Sequence, residues 1–276
     1  MFKERNSQAR LPAIFGAVTL AAAALLLPQS AMATAFDGGI PASWTCTGNC
    51  GTLGADGDVT TSPEGGDYGW VSTDNGASSL GNDDLNIGEE TNGSLLRSGV
   101  FSANAGDDLE FYFNYVTSDG TESYVEYGWA RLLDAALNPV ALLFTARTNP
   151  VGSAVPGFDL PPIEATIDPA VVNISGAAPT WSPLGDDSGE CYGDGCGYSG
   201  WVQSLYTIPN AGNYILEFGV INWGDTAYNT GMAFDGITIA GTSIEDPSGD
   251  GTVPAPATLA LFAIGLLGLG YRRHNV

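Results

Sequence analysis

The chain has 276 residues, and its 31 acidic against 8 basic side chains give a formal charge of −23. A field of that sign repels nucleic acid and anionic lipid, argues against nucleic acid as a partner, and gathers divalent cations, while also serving as a solvated surface that keeps a protein soluble. The one histidine, His274, and the one lysine, Lys3, sit at the two extremities, which removes histidine triads, imidazole metal sites and lysine Schiff bases from everything between them.

In chain order, Lys3, Arg5 and Arg10 precede an apolar run at 14–27, followed by Pro28 and Ala31-Met32-Ala33. A basic start, an apolar middle and small residues at the cut are the parts of a secretory signal peptide, expected at 1–33 with cleavage after Ala33, or after Ala35 as the alternative. The exported region that follows, 34–252, holds 30 acids and only Arg97, Arg131 and Arg147 as basic residues, a net of −27.

The region opens Phe36-Asp37-Gly38-Gly39-Ile40-Pro41-Ala42-Ser43-Trp44. An aromatic followed by an acid, glycines, Pro and Trp is similar to the start of many bacterial jelly-roll sandwiches, carbohydrate-binding modules and adhesin domains among them. That resemblance implies that the early acid, Asp37, helps to hold a structural calcium together with an Asp on the last strand. Next come Cys46 and Cys50, the first of two close cysteine pairs; the second is Cys191 with Cys196. Two close pairs suit zinc, but an oxidising destination and the absence of nearby His favour disulfides, expected as Cys46–Cys50 and Cys191–Cys196.

Glycine, Asp and Asn dominate 54–91 and predict loops on a surface, interrupted by a strand at 68–73. Acids cluster there as Asp56 with Asp58, Asn82 with Asp83, Asp84 and Asn86, and Glu89 with Glu90. Calcium wants several hard oxygens in one loop, but none of these clusters has EF-hand spacing, and solvated loops explain them equally. In 109–115, Leu109, Phe111, Phe113 and Tyr115 alternate with Glu110, Tyr112 and Asn114, the period-two pattern of a half-buried strand. A turn at Asp119-Gly120, an alternating strand at 125–133, a turn at Asn138-Pro139 and an apolar strand at 140–148 follow. Three successive antiparallel strands with no amphipathic helix between them predict an all-β, single antiparallel β-sandwich, jelly-roll-like, over 34–240.

Proline-rich stretches at 149–162 and 169–183 predict a long excursion over one end of the sandwich, leading into the second cysteine loop. Tyr192, Tyr198 and Trp201 around that loop are the aromatic faces that would stack on sugar rings, or else pack over the disulfide. Strands are expected at 201–208, 214–222 and 232–239. In the last of these Asp235 falls in phase with Ile237 and Ile239, which aims its carboxylate at the core unless the strand starts later and leaves it in a turn. Asp37 and Asp235 are therefore the expected calcium pair, with Asp225 as a third ligand. Residues 241–252 read as a flexible linker.

The tail, 253–276, begins Val253-Pro254-Ala255-Pro256, runs through an apolar segment at 258–271 and closes on Arg272 and Arg273. In that order these parts resemble the PEP-CTERM sorting tail of Gram-negative bacteria that make exopolysaccharide, with Ala255 standing where the family has Glu. The resemblance implies recognition by the membrane protease exosortase, an inner-membrane anchored stage through the C-terminal helix, and release to the cell surface or exterior. The plain alternative is a tail anchor, although 14 residues at ~1.5 Å each reach roughly 21 Å, short of the ~30 Å hydrocarbon core. The function expected is a non-catalytic carbohydrate- or matrix-binding module whose partner is extracellular polysaccharide. The alternatives are an adhesive surface protein without a small-molecule site, or a glycosidase using two carboxylates.

Overall fold

The computed structural model describes residues 36–81, 83–148, 152–174 and 176–244. The expected signal peptide, most of the linker and the whole sorting tail, including Val253, Pro254, Pro256, Arg272 and Arg273, lie outside the described residues. Among the described residues no helix is long and apolar enough to cross a membrane, and the helical structure is a 3-10 turn at Ser182–Asp187.

Strands run in the order β1 (Thr45–Thr47), β2 (Asn49–Leu53), β3 (Tyr68–Ser72), β4 (Glu90–Arg97), β5 (Phe101–Ala103), β6 (Asp108–Thr117), β7 (Asp119–Gly120) and β8 (Tyr127–Asp134). They continue with β9 (Pro139–Arg147), β10 (Thr166–Asp168), β11 (Tyr192–Gly193), β12 (Gly197–Tyr198), β13 (Val202–Thr207), β14 (Gly212–Trp223), β15 (Thr230–Ile239) and β16 (Thr242–Ser243). One sheet has the order β1-β4-β14-β8-β9 with β5 beside β14; the other has β10-β13-β6-β15-β3-β2, with β12 on β6 and β16 on β15. Pairing within both is antiparallel, and the two pack face to face as a β-sandwich.

The expected strand at 109–115 is the heart of β6, with Leu109, Phe111, Phe113 and Tyr115 all facing the core. Two ring stacks bridge the sheets: Phe113 on Phe144 at 3.7 Å and Phe218 on Phe234 at 3.9 Å, with Phe111 edge-on to Phe218 at 5.2 Å. Each buried Phe contributes about 1.5–3 kcal/mol by leaving water.

The structure corrects the grouping of the successive strands. β6 belongs to one sheet and β8 and β9 to the other, because Asp119 and Gly120 do not turn the chain back but form β7, paired in parallel with β11. The chain also changes sheet at Gly48, whose φ of +84° and whose closeness to Ser94 Oγ, 2.3 Å from where a Cβ would sit, leave room for glycine alone. The Cys46–Cys50 disulfide staples that corner, β1 to β2, with Cα atoms 6.1 Å apart. The proline-rich stretches do not run over one end. Segment 154–164 lies along the free edge of β9, giving Gly157 N–H to Thr145 O and Glu164 N–H to Leu142 O. Trp181 and Leu184 instead cover the outer face of the second sheet, against Tyr68, Val116 and Ala233. Residues 242–243, expected in the linker, close the domain as β16.

β8 is buried on both faces: Ala130 and Leu132 look into the sandwich, while Tyr127, Trp129 and Arg131 look outward under Leu80, Leu85 and Ile87. On that outer face Glu217 of β14 pairs in register with Arg97 of β4 on one side and Arg131 of β8 on the other. Its carboxylate is wholly buried, accepting from Arg97 Nε at 2.7 Å, Arg131 Nε at 2.5 Å and Trp129 Nε1 at 3.1 Å. Arg97 also holds Asp83 at 2.8 Å, and Arg131 donates to the carbonyls of Asp83 at 2.8 Å and Asp84 at 3.2 Å. The row thus fixes strand register and ties down the acidic loop above it. Removing Glu217 leaves two guanidinium groups without their shared counter-charge in a low-dielectric site. Glu217→Ala is expected to cost about 3–5 kcal/mol in urea melts, far more than an exposed acid such as Asp107→Ala.

Candidate functional site

The second disulfide, Cys191–Cys196 with Cα atoms 5.8 Å apart, locks a loop onto the end of β6 through β11 and β12. Of the three aromatics expected to form a sugar-stacking wall there, only Tyr192 is presented to solvent, at 44% exposure. Tyr198 and Trp201 are half-buried against the outer face of the second sheet. Trp201 meets Tyr68 edge-on at 5.7 Å and donates its indole N–H to Thr60 O at 3.0 Å. Tyr192 gains different partners: its ring stacks on Tyr228 at 5.1 Å and 21°, with Tyr124 tilted 6.4 Å away. Tyr228 sits at φ +58°, a left-handed conformation rare for a bulky residue, and Tyr124 lies over Gly224, where a Cβ would come within 3.2 Å of its ring. Three connections therefore converge on one tyrosine cluster, of which Tyr192 is the exposed member and Tyr124 and Tyr228 are half-buried.

Beneath it lie acids that sequence reasoning did not single out. Glu126 has no exposed surface, and neither carboxylate oxygen has a hydrogen-bond partner. Burial, then the charge of Asp119, raise its pKa well above the ordinary carboxylate value. Asp119, also buried, is pushed up to about 6 by burial, against the hydrogen bonds that its Oδ1 accepts from Thr121 N–H at 3.0 Å and Thr121 Oγ at 3.2 Å. Asp225, expected beside Asp235, instead adds its charge to these two from the β14–β15 connection. Thr230 is level with Thr117 and Asp235 with Tyr112, so Asp235 lies five residues further along β15, roughly 17 Å at ~3.4 Å per residue.

Asp235 is buried, but on the face opposite to the expected one. Met232, Phe234 and Ile237 point into the core, and the register shifts between Asp235 and Thr238 around Gly236 at φ +66°. This bulge breaks the phase that placed Asp235 with Ile237. Its carboxylate looks outward under segment 62–64, where Ser62 Oγ donates to Oδ2 while Oδ1 is buried without a partner. Its pKa rises to about 6, through burial foremost, opposed by Ser62 and the Gly236 backbone and supported by the charges of Asp37 and Glu64. Asp37 is thus within electrostatic reach of Asp235, and its Oδ1 accepts the Asp67 N–H at 2.9 Å.

Several acids in the loop clusters hold backbone. Asp58 accepts from Thr180 N–H at 2.7 Å, Asp56 from Ser182 N–H at 2.6 Å, and Glu90 from Ile87 N–H at 2.6 Å and Tyr127 O–H at 3.1 Å. Among the described residues no group of three or more His, Cys, Asp or Glu side chains is arranged to hold a metal ion. A hollow of about 270 Å³ between β8, β9 and segment 161–164 includes Arg131, whose three guanidinium nitrogens are already committed.

Residues 252–273 match the PEP-CTERM protein-sorting motif, which marks an exported protein held at the membrane and then processed by exosortase. No curated protein matches the chain. Among solved structures, it is similar to the K1 cleaved adhesin domain of Lys-gingipain from Porphyromonas gingivalis: 15% identity, TM-score 0.36, covering 74% of this chain and 94% of that one. The K3 domain of the same protein gives 15%, 0.33, 73% and 93%. The enzymatically active domain of tailspike protein 4 from bacteriophage CBA120 gives 10%, 0.31 and 71%, with only 20% of that chain covered. At such identities and TM-scores none of the three transfers a ligand or an activity to this chain.

Asp119 and Asp235 both have folded-state values near 6 against an ordinary 3.8, so the folded state takes up protons first and loses stability as pH rises through that window. In chelator, the melting temperature is expected to be higher at pH 5 than at pH 7. Asp119→Asn and Asp235→Asn should each flatten that dependence.

Proposed function

We propose that this exported sandwich is a non-catalytic module that binds uncharged polysaccharide of the cell exterior through the surface formed by Tyr124, Tyr192 and Tyr228. The observation that carries this reading is the stacked pair Tyr192–Tyr228, in which Tyr192 is exposed on a loop that a disulfide pre-orders and the half-buried Tyr228 backs it from the β14–β15 connection. Flat rings held in advance cost little entropy on binding and match the apolar faces of sugars. The sorting motif supports delivery to where such polymers are found. The net charge of −27 between residues 34 and 252 argues against an anionic polymer unless cations bridge it. A glycosidase would need an acid that reaches its substrate, whereas Glu126, whose pKa burial raises, is sealed from solvent.

The reading includes a structural calcium at Asp37 and Asp235. The buried, unpartnered Oδ1 of Asp235 with a second carboxylate in reach suits a hard cation, which would bind the first segment of the domain to its last long strand.

Affinity electrophoresis through gels cast with a neutral glucan or mannan tests the ligand. Wild type should be retarded, and Tyr192→Ala should bind at least ~tenfold more weakly, about 1.4 kcal/mol. Trp201→Ala should keep its retardation while melting earlier. Equal retardation of Tyr192→Ala and wild type would remove the tyrosine surface from consideration; no retardation of wild type by any neutral polymer would favour an adhesive protein without a sugar site.

A further inference from the structure

We propose that Asp119 and Glu126 form a second divalent-cation site, of the calcium class, beneath the tyrosine surface and far from Asp37 and Asp235. The observation that points to a ligand is the side chain of Glu126. It has no exposed surface, and both of its carboxylate oxygens are buried without hydrogen-bond partners. Backbone N–H groups of Glu126 itself and of Trp223 favour its charged form, but burial and the charge of Asp119 outweigh them. An ionised carboxylate in that position is costly, and the charge of a second buried carboxylate within electrostatic reach adds to the cost.

Among the described residues no cation is hydrogen-bonded to the pair. The guanidinium within electrostatic reach is Arg147, but its Nε donates to Val125 O at 2.9 Å and an Nη to Phe158 O at 3.4 Å. It is also enclosed by the rings of Tyr127, Phe158 and Trp223, whose centroids lie 6.0, 5.2 and 5.5 Å from its Cζ. The oxygen-only donors fit a hard cation and are wrong for zinc or copper, which prefer nitrogen and sulfur. Two carboxylates provide the charge, Asp225 strengthens the field from further off, and neutral oxygens including water complete the shell that calcium needs.

The position gives the cation a structural task. Asp119, Tyr124 and Glu126 belong to the connection from β6 to β8, while Asp225 and Tyr228 belong to the connection from β14 to β15. A cation between them holds together the two connections that carry two of the three tyrosines. Whether those tyrosines bind sugar is a separate question, and cation binding is measured without any polysaccharide.

The experiment is calorimetric calcium titration of the chelator-stripped full chain in detergent, with melting temperature as a second readout. Glu126→Gln and Asp119→Asn should each bind one calcium fewer than wild type, and calcium should raise their melting temperature less than it raises that of wild type. Asp235→Asn should keep the Asp119–Glu126 site. Because Gln matches the size of Glu126 and is neutral like its protonated form, the stripped variant should melt no earlier than stripped wild type, which shows that it folds. Undiminished stoichiometry in both Glu126→Gln and Asp119→Asn overturns the proposal. So does loss of all calcium binding in Asp235→Asn, or a wild type that takes up no calcium, since the buried acids would then be carrying protons.

Discussion

Glu217 holds two of the three arginines of the exported region in one row across the first sheet, and much of the remaining structure follows from that commitment. The row links β4, β14 and β8 in register, hangs the loop at Asp83 and Asp84 over Trp129, and uses guanidinium donors that a surface site would otherwise offer. Gly219 belongs to the same arrangement, since a Cβ there would fall 2.2 Å from the Trp129 ring. The third arginine, Arg147, is buried among aromatic rings and backbone carbonyls. Every positive side chain between residues 34 and 252 is thereby committed to internal partners: Arg131 and Arg147 are buried, and the partly exposed Arg97 is held between Glu217 and Asp83.

That division constrains what the exterior can do. A surface without an uncommitted cation cannot recognise phosphate or carboxylate directly, and its field keeps such polymers at a distance unless metal ions intervene. What it offers is the apolar face of tyrosine and the hard oxygen of carboxylates, and the two occur together at the end of the sandwich where the second disulfide orders its loop. Both disulfides are local, closing across 4 and 5 residues, and each fixes a place where local structure must be held: the corner between the sheets and the loop carrying Tyr192. The sorting motif at 252–273 is independent of this geometry and bears on where the domain is delivered.

Local pattern made part of this legible. The alternation of Leu109, Phe111, Phe113 and Tyr115 needed only their own spacing, and the close cysteine pairs needed only the oxidising destination. Pairings across the fold were not legible: Arg97 and Glu217 are 120 residues apart, and nothing near either one names the other. The face assignment of Asp235 failed because a bulge of one residue at Gly236 inverts the phase on either side of it. Tyr198 and Trp201 resembled a ligand wall because aromatic side chains beside loops read alike whether they face solvent or, as here, the covered outer face of a sheet. Glu126 carried no signal at all. Its significance arises from Asp119 across a connection and from the lack of partners around its oxygens, both properties of the fold.

The claim that every arginine of the domain is held by internal partners is tested most directly by phenylglyoxal modification of the native full chain, read residue by residue by peptide mass mapping. Arg97, Arg131 and Arg147 should stay unmodified until denaturant is added and then react together. Rapid labelling of any of the three in the native protein would place a cation on the surface and contradict the account.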